Sequence, residues 1–208
     1  MLYRSIQMKR LFFFAASAFV FFSCSPGAGT AAPAQDVKGT TAPAAETATA
    51  KAVAGANPLD GIGLSVFPEP QDIPDISFVA LDGSAKNLSS FRGKVVLLNF
   101  WATWCPPCKA EMPSIQRLSD KLAGKDFTVL AISVNESRAT VEAFLAKNPY
   151  KFPIFLDETG QQSSGFVGRG IPTTYLVDKQ GRALAGIIGS KEWDDPAVVA
   201  AFTALAAK

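Results

Sequence analysis

Apolar residues in the C-terminal two-thirds of the chain fall in short blocks whose spacing switches between strand-like and helix-like. Val95-Val96-Leu97-Leu98-Asn99-Phe100-Trp101 is an almost unbroken apolar run, the pattern of a strand covered on both faces. Phe127 to Val134 repeats it. Upstream, Ser77 to Leu88 reads as two short strands about Asp82-Gly83, a strong hairpin signal. After Pro106 the apolar positions Ile115, Leu118 and Leu122 recur at i, i+3, i+7, which predicts a helix. Pro113 inside it removes one backbone hydrogen bond and predicts a kink; Gly124 predicts its end. A second helix carries Val141, Phe144 and Leu145, and Phe152-Pro153 breaks the chain before a short strand, Ile154 to Leu156. Thr173 to Val177 and Ala183 to Ile188 predict a hairpin around Asp178-Lys179-Gln180-Gly181. The last helix opens at Asp195-Pro196, an N-cap and first-turn pair, and buries Val198, Phe202 and Leu205. This order predicts an α/β domain with a mixed central sheet and helices on both faces.

The N-terminal quarter has a different character. Residues 1–23 carry Arg4, Lys9 and Arg10, no acid, and an apolar run from Leu11 to Phe22. This is the layout of an export signal, too short for a comfortable membrane span. The run ends at Phe22-Ser23-Cys24-Ser25. A small residue before a cysteine at that place resembles a bacterial lipobox, in which cleavage exposes the cysteine for lipidation. Phe21 and Phe22 depart from the usual leucine and smaller residue, so an ordinary secretory signal or an uncleaved anchor stays open. Residues 24–61 are rich in Ala, Thr, Pro and Gly with few large apolar side chains, the composition of a flexible tether. It would span about 30 Å and hold a single domain, 62–208, near the membrane through Cys24. Without the three leader cations the formal net charge falls from +2 to −1. The basic balance therefore belongs to the leader and gives no reason to expect nucleic acid as a partner.

The candidate chemistry lies at Trp101-Ala102-Thr103-Trp104-Cys105-Pro106-Pro107-Cys108. Residues three apart share a helix face, so the two sulfurs can reach disulfide distance. Pro106 suits the first helical position, which puts Cys105 at the N-terminus, where free N–H groups and the helix dipole favour a thiolate. A zinc site is the first alternative, but zinc takes four ligands, and the chain has no histidine and only three cysteines. A purely structural disulfide is the second. Closing so small a ring contributes only about 2 kcal/mol, which a domain of this size does not need. Redox exchange is the better reading, and it calls for neither metal nor cofactor.

Lys94 to Pro113 closely resembles the exported, membrane-anchored TlpA/ResA-like branch of the thioredoxin superfamily. So does Gly170-Ile171-Pro172-Thr173-Thr174-Tyr175-Leu176-Val177-Asp178, together with Leu81-Asp82-Gly83 and Phe91-Arg92-Gly93-Lys94. The resemblance covers nearly all of the domain from Ile76 onward. It implies a thioredoxin-like fold with an extra N-terminal β-hairpin. It makes Cys105 the attacking thiol and Cys108 the resolving one, joined as a redox disulfide between turnovers. It also implies a cis Pro172 that sets the Ile171 backbone to pair with substrate, and a Trp104 that packs beside Cys105 and limits access. Glu111 resembles a glutamate kept close to the thiols in ResA-like proteins and is the candidate proton acceptor. Asn99 stands where cytoplasmic-type thioredoxins place a titrating aspartate. A turn proline at 172 and a solvated helix residue at 111 are the plain alternatives.

The uncharged Pro106-Pro107 pair stabilises a thiolate less than an intervening histidine would, which favours a reductase over an oxidase or isomerase. By analogy with the family, the clients are oxidised cysteine-containing exported proteins, apocytochrome c among them, and the electron donor is a membrane thiol transporter. The site is then extracytoplasmic, on the periplasmic side. A peroxidase would want threonine three residues before its cysteine, whereas Thr103 is two before Cys105. A copper carrier would need a histidine. A non-catalytic surface lipoprotein remains the alternative from outside enzymology.

Overall fold

The computed structural model describes residues 57–208. The expected signal, Cys24 and most of the expected tether lie outside them. Eight strands form one mixed sheet: β1 (Ser65–Asp72), β2 (Ser77–Ala80), β3 (Ala85–Asn87), β4 (Val95–Trp101), β5 (Phe127–Val134), β6 (Ile154–Asp157), β7 (Thr173–Val177) and β8 (Arg182–Ile188). Three α-helices accompany them: α1 (Pro106–Lys121), α2 (Arg138–Leu145) and α3 (Pro196–Ala206). A 3-10 turn spans Leu88–Phe91. The strand order is β1-β8-β7-β4-β5-β6-β2-β3, with β4, β5 and β6 parallel and the remaining pairs antiparallel.

The apolar run of β4 earns its central place, since all seven of its residues are buried. Its side chains alternate between two cores. Val95, Leu97 and Trp101 join the cluster that contains α1, α2 and α3, whereas Val96, Leu98 and Phe100 join Phe78, Leu88, Phe155 and Phe166 on the other face. Each fully buried leucine contributes about 2 kcal/mol. The buried apolar side chains of α1, α2 and α3 fall in the first cluster, so the expected helices on both faces are corrected to helices on one. The crossovers β4-α1-β5 and β5-α2-β6 step in the same direction along the sheet, and a right-handed connection then returns to the same side each time. The opposite face is covered by the 3-10 turn and by Phe166.

One edge of the sheet differs from the pattern-based expectation. β1 contains Pro68 and Pro70, which hid it from a strand reading, yet it pairs β8 with a register break between Val66 and Gln71. An edge strand tolerates prolines because one side needs no N–H donors. The packed structure also reaches back before the expected start at 62, since Leu59 is buried in the first core. The expected hairpin is present as β2–β3, turned at Gly83 with φ +89°, a conformation that glycine adopts without cost. α1 runs on through Pro113 and stops at Lys121, short of Gly124.

Candidate active site

α1 starts where β4 ends, which places the two cysteines at the carboxyl edge of the parallel strands. Cys105 is the N-cap, in extended conformation, and its Sγ accepts from the Cys108 backbone N–H at 3.3 Å. Pro106 and Pro107 fill the first turn, where the absent N–H groups have no intrahelical role. The sulfurs are joined in a disulfide with the Cα atoms 5.3 Å apart, inside the range that side-chain geometry requires. Exposure is unequal: Cys105 retains 3% and Cys108 none. The Ile171–Pro172 bond is cis, and the Ile171 carbonyl oxygen lies 3.8 Å from Cys105 Sγ. Gly170, at φ +115°, makes the bend into that segment, and the Gly189 N–H donates to the Pro172 carbonyl at 2.8 Å.

Along α1, Cys105, Cys108, Glu111 and Ser114 recur every third residue and all are buried. Glu111 is 1% exposed, which excludes the solvated-helix alternative. Asn99 Nδ2 donates to Glu111 Oε1 at 2.8 Å, and Trp193 Nε1 and the Lys191 backbone N–H donate to Oε2 at 3.0 and 3.2 Å. Burial raises the carboxyl above its ordinary value, and the three donors, Trp193 first, pull part of the way back. Ser114 fastens the same loop, accepting from the Trp193 backbone N–H at 3.1 Å. Arg117 and Lys121 grip Asp194 next door, holding that carboxyl down at about 2. Asn99 Nδ2 also donates to Thr174 at 2.8 Å, so one amide ties the residue beside Thr173 and Pro172 to Glu111.

The roles of Trp193 and Glu136 were not legible in the chain. Trp193 sits 82 residues from Glu111 in sequence, and nothing local marks it. Replacing Trp193 by phenylalanine keeps most of the ring but removes one donor to the carboxylate. The Glu111 titration is expected to move to higher pH, read by carboxyl infrared absorption or by the pH profile of thiol exchange. Glu136, 7% exposed, accepts from Ser133 Oγ at 2.6 Å, from the Thr103 backbone N–H at 2.9 Å, and from the Thr103 hydroxyl. It anchors the segment two residues ahead of Cys105. The available signal was topological: parallel β4 and β5 pair Trp101 with Ser133, so residues just beyond both strands must meet. Trp104 departs from expectation. The residue is 67% exposed, while Trp101 takes the buried place at the strand end and Thr103 is held by Glu136. Lys109 is also exposed.

A thioredoxin-like sheet carrying an N-capping cysteine, its partner three residues on, and a cis-proline segment against the sulfur defines a thiol-disulfide oxidoreductase. The family model named Redoxin matches residues 69–202, and the chain belongs to that family. It is 37% identical over 122 residues to the thiol-disulfide oxidoreductase ResA of Geobacillus kaustophilus, covering 59% of this chain and 70% of that one. It is 40% identical over 116 residues to the thioredoxin-like protein YneN of Bacillus subtilis, covering 54% and 67%. Among solved structures, a secreted thiol-disulfide isomerase from Corynebacterium glutamicum superposes with a TM-score of 0.61 at 31% identity, covering 72% of this chain and 95% of that one. A thiol:disulfide interchange protein from Chlorobium tepidum gives 0.55 at 30%, covering 65% and 99%.

Proposed function

We propose that the protein reduces disulfides in exported proteins, with Cys105 attacking, Cys108 resolving and Glu111 taking the proton. The Cys105 thiolate attacks one client sulfur; the client disulfide breaks and one client thiolate leaves. Cys108 then loses its proton to Glu111 and attacks Cys105 Sγ, expelling the second client thiolate. The client has gained two electrons and the protein holds the Cys105–Cys108 disulfide. A membrane thiol transporter returns it to the dithiol, and no cofactor takes part. Trp104, Ile171 and Pro172 line the approach of the client chain, whose backbone pairs with Ile171.

The asymmetry of the two sulfurs carries this reading: Cys105 keeps an edge at the helix N-terminus, while Cys108 is sealed on the helix face that bears Glu111. The uncharged Pro106-Pro107 pair supports the reducing direction. The leader and Cys24 support export and a lipid anchor at the extracytoplasmic membrane surface, and the secreted relative supports export as well. Among the described residues no helix is long and apolar enough to cross a membrane. Oxidised cysteine pairs of apocytochrome c are one client class, which rests on the family resemblance of Lys94 to Pro113 alone. The midpoint potential of the Cys105/Cys108 couple tests the direction. A value near the thioredoxin range, about −270 mV, is expected; a value near about −120 mV would make the protein a disulfide-forming oxidase.

A further inference from the structure

The helix-free face of the sheet leaves a groove of about 400 Å³ that starts one residue past Pro172. Thr173 and Tyr175 of β7 form its floor with Ile188 and Gly186 of β8, their partners in register; Phe67 of β1 lies along one side. Thr174, between the two β7 residues, points to the helix side and bonds Asn99. The groove thus lies on the face opposite α1, α2 and α3. Gly186 keeps the floor flat, since a Cβ there would come within 3.3 Å of the Tyr175 ring. Ile188 is 50% exposed.

One charged residue lines this hollow: Arg169, exposed and without an ion-pair partner among the described residues. It stands two residues before Ile171, whose carbonyl touches Cys105, and two residues span at most about 7 Å of extended chain. A client strand laid along Ile171 thus meets an apolar floor and one cation close to its cysteine. No acidic side chain lines the groove. We propose that this groove is a specificity subsite in which Arg169 selects clients with an acidic residue within about three positions of the attacked cysteine. The proposal rests on the reductase reading above.

Cysteine-pair peptides carrying Asp, Asn or Lys two positions before or after the first cysteine test it, with 2-hydroxyethyl disulfide as a substrate too small to reach the groove. At low salt the parent is expected to reduce the Asp peptide about threefold faster in kcat/KM than the Asn peptide, as an exposed ion pair allows, with Lys slowest. The preference should fade in about 0.5 M salt. Arg169→Glu is expected to reverse the order while reducing the small disulfide at the parental rate. Equal rates for all peptides in the parent, or an unchanged order in Arg169→Glu, would overturn the subsite. A parent inert toward every disulfide, the small one included, would overturn the reductase reading instead.

Discussion

Replacing Cys105 by serine is expected to lower disulfide reduction to background, a loss on the order of 10⁴-fold or more. A serine hydroxyl at the N-cap can still accept the Cys108 N–H, so the fold is kept. It does not ionise at neutral pH and forms no disulfide, so the chemistry is lost. Cys108→Ala should fail at a different step. The first attack survives, no resolving thiol follows, and the client stays bonded to Cys105 as an adduct seen by intact mass and released by dithiothreitol. The difference follows from burial: Cys108 has no exposed surface through which a client sulfur could reach it. Turnover by Cys105→Ser, or no adduct with Cys108→Ala, would show that the sulfurs have been assigned the wrong order.

Glu111→Gln has the second-largest expected effect, a slowing of resolution by about 100-fold at neutral pH, the lower end of what a positioned base supplies. The pH dependence gives the sign. Burial raises the Glu111 carboxyl, so as pH falls through that raised value it becomes protonated and can no longer accept the Cys108 proton. Resolution by the parent should therefore slow below that pH, and the step should vanish in the variant. Stability follows the same proton. The folded state binds it more tightly than the unfolded chain, so this contribution is fully present below the ordinary carboxylate value. It is lost as pH rises through the folded value. Urea midpoints of the parent should fall across that window relative to those of the glutamine variant. Parallel pH profiles in both measurements would leave Glu111 with no part in proton transfer.

Local pattern carries far in this chain where one residue's neighbours in sequence are also its neighbours in space. The helix opened by Pro106, its N-capping Cys105 and the Cys108 three residues on are contacts within a single turn, and the structure contains each as read. The β2–β3 hairpin and the 173–188 hairpin are short-range in the same way. β1 was missed because its prolines speak against a strand, and only the edge position that β8 offers makes them tolerable. Trp101 and Trp104 both precede Cys105, and spacing alone does not say that Trp101 is the buried one.

The amino-acid sequence by itself determined the dithiol, its place at a helix N-terminus, the order of strands and helices from Ser77 onward, and the glutamate at helical spacing from the sulfurs. All of these depend on periods of two and 3.6 residues and on the backbone limits of proline and glycine. Only the tertiary structure decided what surrounds them. The direction of the crossovers put α1 and α2 on one face, α3 packs there with them, and the other face stays open beside Pro172. Chain closure brought Trp193 and Lys191 onto Glu111, Glu136 onto Thr103 and Ile171 against Cys105, across separations of 33 to 82 residues. A carboxylate on a helix is ordinary until burial and its donors set its proton affinity, and those partners come from elements that no local pattern connects.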